Sequence, residues 1–201
     1  MSFWLKKIVY NLTLKMKNVL EPTLNKQEEL KIELDLYTPE NIPDEKRAEE
    51  MSTIFLNNYP TMYSDELRES DLERYDSPEK IQEQVENGNL FITATSDNKI
   101  IGLLKFRKER RTEDPDCEEW LGSWVMVDKS HRNSGVAEKL FKKNLEILSQ
   151  MKNSSNKKIF FVADVNKENK ASIDLCEKLG CKKMPGKSKE YFLFRKEILE
   201  N

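Results

Sequence analysis

The sequence predicts a mixed α/β fold with an antiparallel hairpin near its middle, and three observations lead to this prediction. Residues 30–36 alternate leucine or isoleucine with charged residues, which is the period of a half-buried strand. The apolar runs 90–95 and 100–107 flank the polar turn 96–99, as in a hairpin. From residue 134 onward, helical and strand patterns alternate, which is typical of mixed α/β domains.

The remaining elements are predicted from period and from boundary residues. Pro43 and Asp44 begin a helix, because the apolar residues that follow are three or four positions apart. Residues 64–87 are expected to form a second, interrupted helical region with a break at Asp76–Pro78. The rest of the prediction is a charged loop at 109–119, a strand at 120–127, a helix from Ser134 to about Gln150, a strand at 159–165, a helix at 169–179 and a strand at 190–195.

Composition excludes several classes of function. The chain has 201 residues with 34 basic and 36 acidic side chains, which argues against a nucleic-acid partner held by overall charge. A single histidine, His131, argues against a histidine-rich metal site and a Ser-His-Asp triad, so no metal is expected. Three cysteines without metal-ligand spacing argue against a disulfide framework, and a reducing cytoplasm is the expected compartment.

Residues 1–28 differ from the rest and are predicted to be an extension preceding a domain at 29–201. Apolar residues alternate with lysines here, and the first acidic residue is Glu21. This pattern predicts a basic amphipathic helix, with residues 1–20 lying on a membrane surface or a partner. The alternative, which we favour, is a helix packed on its own domain or on a second subunit, as in a homodimer.

The segment Val125–Ala137 has the pattern of an anion-binding turn. A strand ends, a short turn follows, and the first turn of a helix presents free backbone N–H groups and the positive end of its dipole. Gly135 lets an anion approach the backbone, and Arg132 adds a positive charge. The pattern fits phosphate binding, but from spacing alone an ordinary strand-to-helix turn with a glycine is the favoured interpretation.

Two blocks of the sequence resemble motifs of the GNAT-type N-acetyltransferases. Arg132-x-x-Gly135-x-Ala137 is similar to the family's coenzyme-A motif, Arg/Gln-x-x-Gly-x-Gly/Ala. The block from Asn169 to Cys181 is similar to Asn-x-x-Ala/Ser-x-x-x-Tyr-Glu-Lys-Leu-Gly-Phe, with Cys176 at the tyrosine position. The resemblance covers about residues 30–196.

The resemblance implies a fold, a cofactor and an activity. The fold would be a mixed, mostly antiparallel sheet of about six to seven strands flanked by helices, with the central strands splayed at the cofactor site. The activity would be direct transfer of an acetyl group from acetyl-CoA to an amine-bearing small molecule or protein. The alternative is a catalytically weak or inactive GNAT-fold module that binds acyl-CoA.

The resemblance also implies which residues bind the cofactor. The strand backbone at Val125, Met126 and Val127 would bind pantetheine. The turn amides would hold the pyrophosphate, and they belong to Arg132, Asn133, Ser134, Gly135, Val136 and Ala137. Asn169 and Ser172 would contact pantetheine, and Asn169 would serve equally well as a helix N-cap.

Three residues are candidates for the catalytic groups. Cys176 is either the acid that protonates the leaving thiolate or, as we favour, a small packing residue. Tyr191 is a second candidate acid, or an ordinary strand aromatic. Glu119 is a candidate base from the acidic cluster at 113–119, although Leu121 is the gap-free match to the strand glutamate of some family members, and a solvated acidic loop is the alternative.

Overall fold

The computed structural model describes residues 30–59, 65–109, 114–186 and 188–199, with the backbone alone for residues 65–68. The chain divides into two compact units, Met1–Lys31 and Ile32–Asn201. The second unit is the one described below. The predicted extension at 1–28, with its membrane or partner contact, lies outside the described residues and stays a prediction.

The second unit is a seven-stranded mixed sheet with helices, which confirms the predicted fold class. The strands are β1 (Glu33–Tyr37), β2 (Leu90–Ser96), β3 (Lys99–Glu109), β4 (Cys117–Val127), β5 (Lys158–Asn166), β6 (Lys182–Pro185) and β7 (Tyr191–Ile198), in the order β1-β2-β3-β4-β5-β7-β6. The central β4–β5 pair is parallel, and every other neighbouring pair is antiparallel.

In the described part of the chain, five α-helices connect or flank the strands. They are α1 (Glu45–Asn58), α2 (Asp65–Leu72), α3 (Pro78–Glu86), α4 (Val136–Lys152) and α5 (Lys170–Lys178), and a short 3-10 helix spans Lys129–His131. Three of them begin at residues whose side chains accept a hydrogen bond from a first-turn amide: Asp44, Ser77 and Asn169. Among the described residues, no helix is long and apolar enough to cross a membrane.

The main core lies between the sheet and helices α1 and α3. Its centre is formed by fully buried side chains from all of these elements: Met51, Phe55, Ile81, Val85, Phe91 and Leu103. Helix α4 also packs on the sheet, where Phe141 meets Phe161 of β5 with ring centroids 4.7 Å apart. Burial on this scale is the main favourable term in folding.

Four details differ from the sequence prediction. Strand β4 begins at Cys117 rather than Trp120, because residues 117–119 pair with Lys158–Phe160 of β5. Strand β6 was missed, since its four residues are all exposed and carry no apolar alternation. Helix α4 begins at Val136 rather than Ser134, because Asn133 and Gly135 have positive φ angles of 63° and 82°. The helical period predicts Leu145 on its inner face, but Asn144 and Ile147 are buried there and Leu145 is half-buried.

Candidate active site

The candidate site is a cleft that opens where β4 and β5 stop pairing. The parallel ladder runs from Cys117 and Lys158 to Leu121 and Val162. Beyond this pair the two strands have no mutual pairing, although β4 continues to Val127 and β5 to Asn166. The predicted splaying of the central strands is therefore confirmed.

A β-bulge at Trp124 bends β4 away from β5. On the β3 side, Leu104 pairs with Val125 and Lys105 pairs with Ser123, so Trp124 is the extra residue. Its φ angle is +57°, which is rare for a bulky side chain. Ring contacts with Phe55 and Tyr59, with centroids 5.4 and 5.0 Å away, hold the indole in this conformation. A bulge bends its strand and increases the local twist, which accounts for the opening.

The cleft has a volume of about 330 Å³ and is lined by several elements. Strand β4 contributes residues 121–126, and β5 contributes Phe161 and residues 163–166. Leu104 and Phe141 contribute apolar surface, whereas Asn58 and Asp71 contribute polar atoms. The other lining residues are Asn169, Ser172, Leu175 and Cys176 of α5 and its N-cap, with Tyr191 of β7.

The start of α4 follows directly after the open part of β4. Its N-cap, Gly135, provides no capping side chain, and the first intrahelical bond runs from Lys139 N to Gly135 O at 3.0 Å. The amides of Val136, Ala137 and Glu138 therefore have no intrahelical acceptor. A Cβ atom built on Gly135 would meet nothing within 4 Å, so there is open space beside this glycine at the helix start. An anion fits such a helix end.

A carboxylate in this first turn does not oppose anion binding strongly, because two lysines neutralise it. Hydrogen bonds from Lys142 and Lys178 lower the pKa of Glu138 to about 2. The Lys142 ammonium lies 2.8 Å from the carboxylate. The negative charge of Glu138 in the first turn is therefore balanced by the two lysines.

Side chains of the turn before α4 hold its shape. Arg132 Nε donates to Val127 O at 3.3 Å, and its Nη2 donates to Asn58 Oδ1 at 3.2 Å. The Ser134 hydroxyl donates to His131 O, and Asn133 takes the left-handed conformation. Arg132 thus ties the turn to the end of β4 and to α1, and its pairing with a phosphate stays a prediction.

Asn169 and Ser172 both line the cleft. Asn169 Oδ1 accepts a hydrogen bond from Ser172 N at 3.1 Å, so the predicted N-cap role is confirmed. Their contact with a cofactor remains a prediction.

Cys176 is buried, with 3% of its surface exposed, and lines the cleft. A hydrogen bond with the Cys181 thiol and burial raise the pKa of Cys176. The Cys176 carbonyl also accepts a hydrogen bond from Cys181 N at 3.0 Å. A thiol with a raised pKa is a poor proton donor, so these contacts favour the packing role.

Two carboxylates that the sequence reasoning missed line the cleft. Asp164 is an exposed residue on the part of β5 that has separated from β4. Asp71 of α2 accepts a hydrogen bond from the Tyr59 hydroxyl at 2.9 Å. A signal for Asp164 was present, since it is an acidic residue between the buried Ala163 and Val165 in an apolar strand.

Glu119 lies outside the cleft, in the paired part of β4. It is 8% exposed, and its carboxylate lies 3.1 Å from Arg195 Nη2 of β7. The Arg195 guanidinium in turn lies over the Phe160 ring, 3.7 Å from its centroid. Glu119 is therefore a buried ion-pair partner. The structure does not bring it together with Cys176 and Tyr191, which both line the cleft.

A buried lysine lies beside the cleft on β3. Lys105 is 8% exposed, pairs across the strands with Ser123, and donates a hydrogen bond to the Tyr75 hydroxyl. Burial lowers the pKa of Lys105 to about 8 and raises the pKa of Tyr75 to about 12.

Comparison with known proteins agrees with this fold. A model of the acetyltransferase (GNAT) family matches residues 48–181, which is more than half of the chain. The chain belongs to that family. No curated protein matches the chain in sequence.

Solved structures with the same fold include several N-acetyltransferases. The PaiA N-acetyltransferase from Thermoplasma acidophilum in complex with coenzyme A has a TM-score of 0.60 and 19% identity, over 84% of this chain and 99% of that one. Arabidopsis thaliana NAA60 with a bisubstrate analogue has a TM-score of 0.59 and 14% identity, over 85% and 100%. The ribosomal-protein-S18-alanine N-acetyltransferase from Escherichia coli has a TM-score of 0.51 and 14% identity, over 85% and 96%. These likenesses show the fold.

Proposed function

We propose that the protein is an N-acetyltransferase that moves the acetyl group of acetyl-CoA directly to an amine. The observation that carries this proposal is the succession along the chain of the unpaired β4 edge and the uncapped amides of α4. Pantetheine would pair with the backbone of Val125–Val127 as an added strand does. The pyrophosphate would be bound by the amides of the turn and of the first residues of α4.

The acceptor amine has to lose a proton before it can attack. A lysine-like amine with a pKa of about 10.4 is protonated at pH 7, and removing its proton costs roughly 4–5 kcal/mol. Asp164 is the carboxylate we assign as base, acting directly or through one water molecule, because it lines the unpaired part of β5. Asp71 adds a second negative charge that attracts a cationic amine.

The thioester carbonyl would be polarised by backbone N–H groups on the open edge of β4. The amine nitrogen attacks the carbonyl carbon, the carbon–sulfur bond breaks, and the thiolate takes up a proton. Tyr191 is the donor we assign, because its hydroxyl belongs to a residue that lines the cleft and Cys176 is held as a protonated, buried thiol.

The acceptor is an amine-bearing small molecule or a protein. NAA60 was solved with a bisubstrate analogue, and the Escherichia coli enzyme is named for an alanine of ribosomal protein S18. Either kind of amine suits the two carboxylates of the cleft.

Incubation of the full chain with acetyl-CoA and a panel of amines tests the proposal. The panel contains polyamines, aminoglycosides, amino acids and peptides with free N-termini, and the readouts are release of free thiol and the mass of the acetylated acceptor. Turnover with at least one amine is expected. Failure to bind acetyl-CoA would contradict the proposal.

A second candidate function is a GNAT-fold module that binds acyl-CoA without catalysis. Cys176 favours it, because the similar family motif has a tyrosine at this position. Binding of acetyl-CoA without turnover of any amine would support this second function over the first.

A further inference from the structure

Phe161 lies where β4 and β5 separate. It precedes Val162, the last β5 residue that pairs with β4, and its 1%-exposed side chain lines the cleft. Gly122 is the first β4 residue beyond the pairing. A Cβ atom built on Gly122 would come within 2.3 Å of Phe161 Cε2 and 2.7 Å of Phe161 Cζ. The Phe161 ring therefore occupies the space that the side chain of any residue other than glycine would need at position 122.

The ring of Phe161 is also fixed by α4. Phe141 packs against it edge to face, with ring centroids 4.7 Å apart and an angle of 61° between the planes. Phe141 is itself buried and lines the cleft. Protein interiors are packed as densely as organic crystals. Because the Phe161 ring lies between Gly122 and Phe141, its displacement would cost free energy.

The cofactor placement proposed above would bring the acyl group to this ring. With the pyrophosphate at the start of α4, pantetheine would run back along Val127 and Val125 toward Gly122. The thioester would then lie near the point of strand separation, with the acyl chain directed toward the Phe161 ring.

We propose that Phe161, seated against Gly122 and held by Phe141, closes the acyl end of the cleft and restricts the donor to acetyl-CoA. This inference rests on the proposed function. The same bonds form and break with longer donors: the amine nitrogen bonds to the carbonyl carbon, the sulfur leaves with its electron pair and takes a proton from Tyr191, and Asp164 takes the amine proton. The donors differ only in whether the part of the acyl chain beyond its first methyl group fits beside the Phe161 ring.

Calorimetric binding of acetyl-CoA and butyryl-CoA, without any acceptor, tests the inference. The wild-type chain is expected to bind acetyl-CoA at least tenfold more tightly than butyryl-CoA, and Phe161→Leu is expected to reduce this ratio to about threefold or less. Phe194→Leu is the matched control, because Phe194 is fully buried in β7 but does not line the cleft. This control should keep the wild-type ratio. Phe161→Met replaces the leucine variant if that variant does not fold.

A second measurement tests the contact itself by thermal unfolding. Gly122→Ala should lower the unfolding temperature, and the same substitution in the Phe161→Leu chain should lower it less. An unchanged acetyl-to-butyryl ratio in folded Phe161 variants would overturn the inference while leaving the proposed function intact. Absence of binding of either donor to the wild-type chain would instead overturn the proposed function.

Discussion

Leu121 of β4 and Val162 of β5 are the last residues that pair across the two central strands. The next β4 residues keep their partners on β3 alone, so one edge of β4 is open as far as Val127. Helix α4 then begins after a short turn. An open strand edge and an uncapped helix start, one after the other, are the two features on which the proposed acetyl-CoA site depends.

Asp164→Asn should reduce kcat about 100-fold at neutral pH, because the amide cannot take a proton from the acceptor amine. The affinity for acetyl-CoA should stay within about threefold of wild type, since the base is assigned to the acceptor. Steady-state kinetics with a productive amine, together with calorimetry, measure both quantities.

Asp174→Asn is the matched control for that variant, because Asp174 is an exposed carboxylate on α5 that does not line the cleft. Its kcat should equal that of the wild-type protein. Equal kcat values for the two asparagine variants would remove Asp164 from the mechanism.

Tyr191→Phe and Cys176→Ala distinguish the two candidate acids. Tyr191→Phe should lower kcat at least tenfold, because the thiolate loses its proton donor. Cys176→Ala should leave kcat within about threefold and lower the free energy of unfolding by about 1 kcal/mol, the usual size of a small packing loss. Single-turnover kinetics and urea unfolding measure these effects, and the reverse pattern would identify Cys176 as the acid.

Because Lys105 is buried, we expect the free energy of unfolding to depend on pH in a specific way. Burial lowers the pKa of Lys105 from 10.5 to about 8 in the folded state. Between these values the unfolded state binds more protons, so the free energy of unfolding should rise with pH, by about 3 kcal/mol at most. Above pH 10 the raised pKa of Tyr75, about 12, acts in the opposite direction.

Urea unfolding of the wild-type protein and of Lys105→Met between pH 7 and 10 isolates the lysine contribution. The wild-type curve should rise relative to the variant curve through this range. Parallel curves would show that Lys105 is not buried as a charged group below pH 8.

The fold was predictable because the hydrophobic period and the helix-capping residues indicate the same elements along most of the chain. The hairpin turn and the caps at Asp44 and Asn169 lie where the sequence predicts them. The exposed strand β6 and the first residues of β4 were not predictable from period. Residues 117–119 become strand because Lys158–Phe160 of β5 pair with them, and such partners are not visible in a local pattern.

The turn and helix start to which the cofactor is assigned were predicted from local sequence, whereas the carboxylates of the cleft were not. The turn before α4 is a continuous segment whose glycine and helix start can be read directly. Asp71 and Asp164 meet in one cleft only because the sheet brings α2 and β5 together. Glu119 is a candidate because it belongs to the acidic cluster at 113–119, yet its carboxylate pairs with Arg195, which is distant in sequence.

Acetyl-CoA binding by Gly135→Glu is the most direct test of the acyl-CoA site. The new carboxylate would place a negative charge at the N-cap of α4, where the pyrophosphate is assigned, so binding measured by calorimetry should fall at least 100-fold. Gly88→Glu is the matched control, because Gly88 also has a positive φ, +85°, and open space around its Cβ position, but follows the end of α3 and not the start of α4. Wild-type affinity in a folded Gly135→Glu protein would contradict the assignment of the phosphate site to the start of α4.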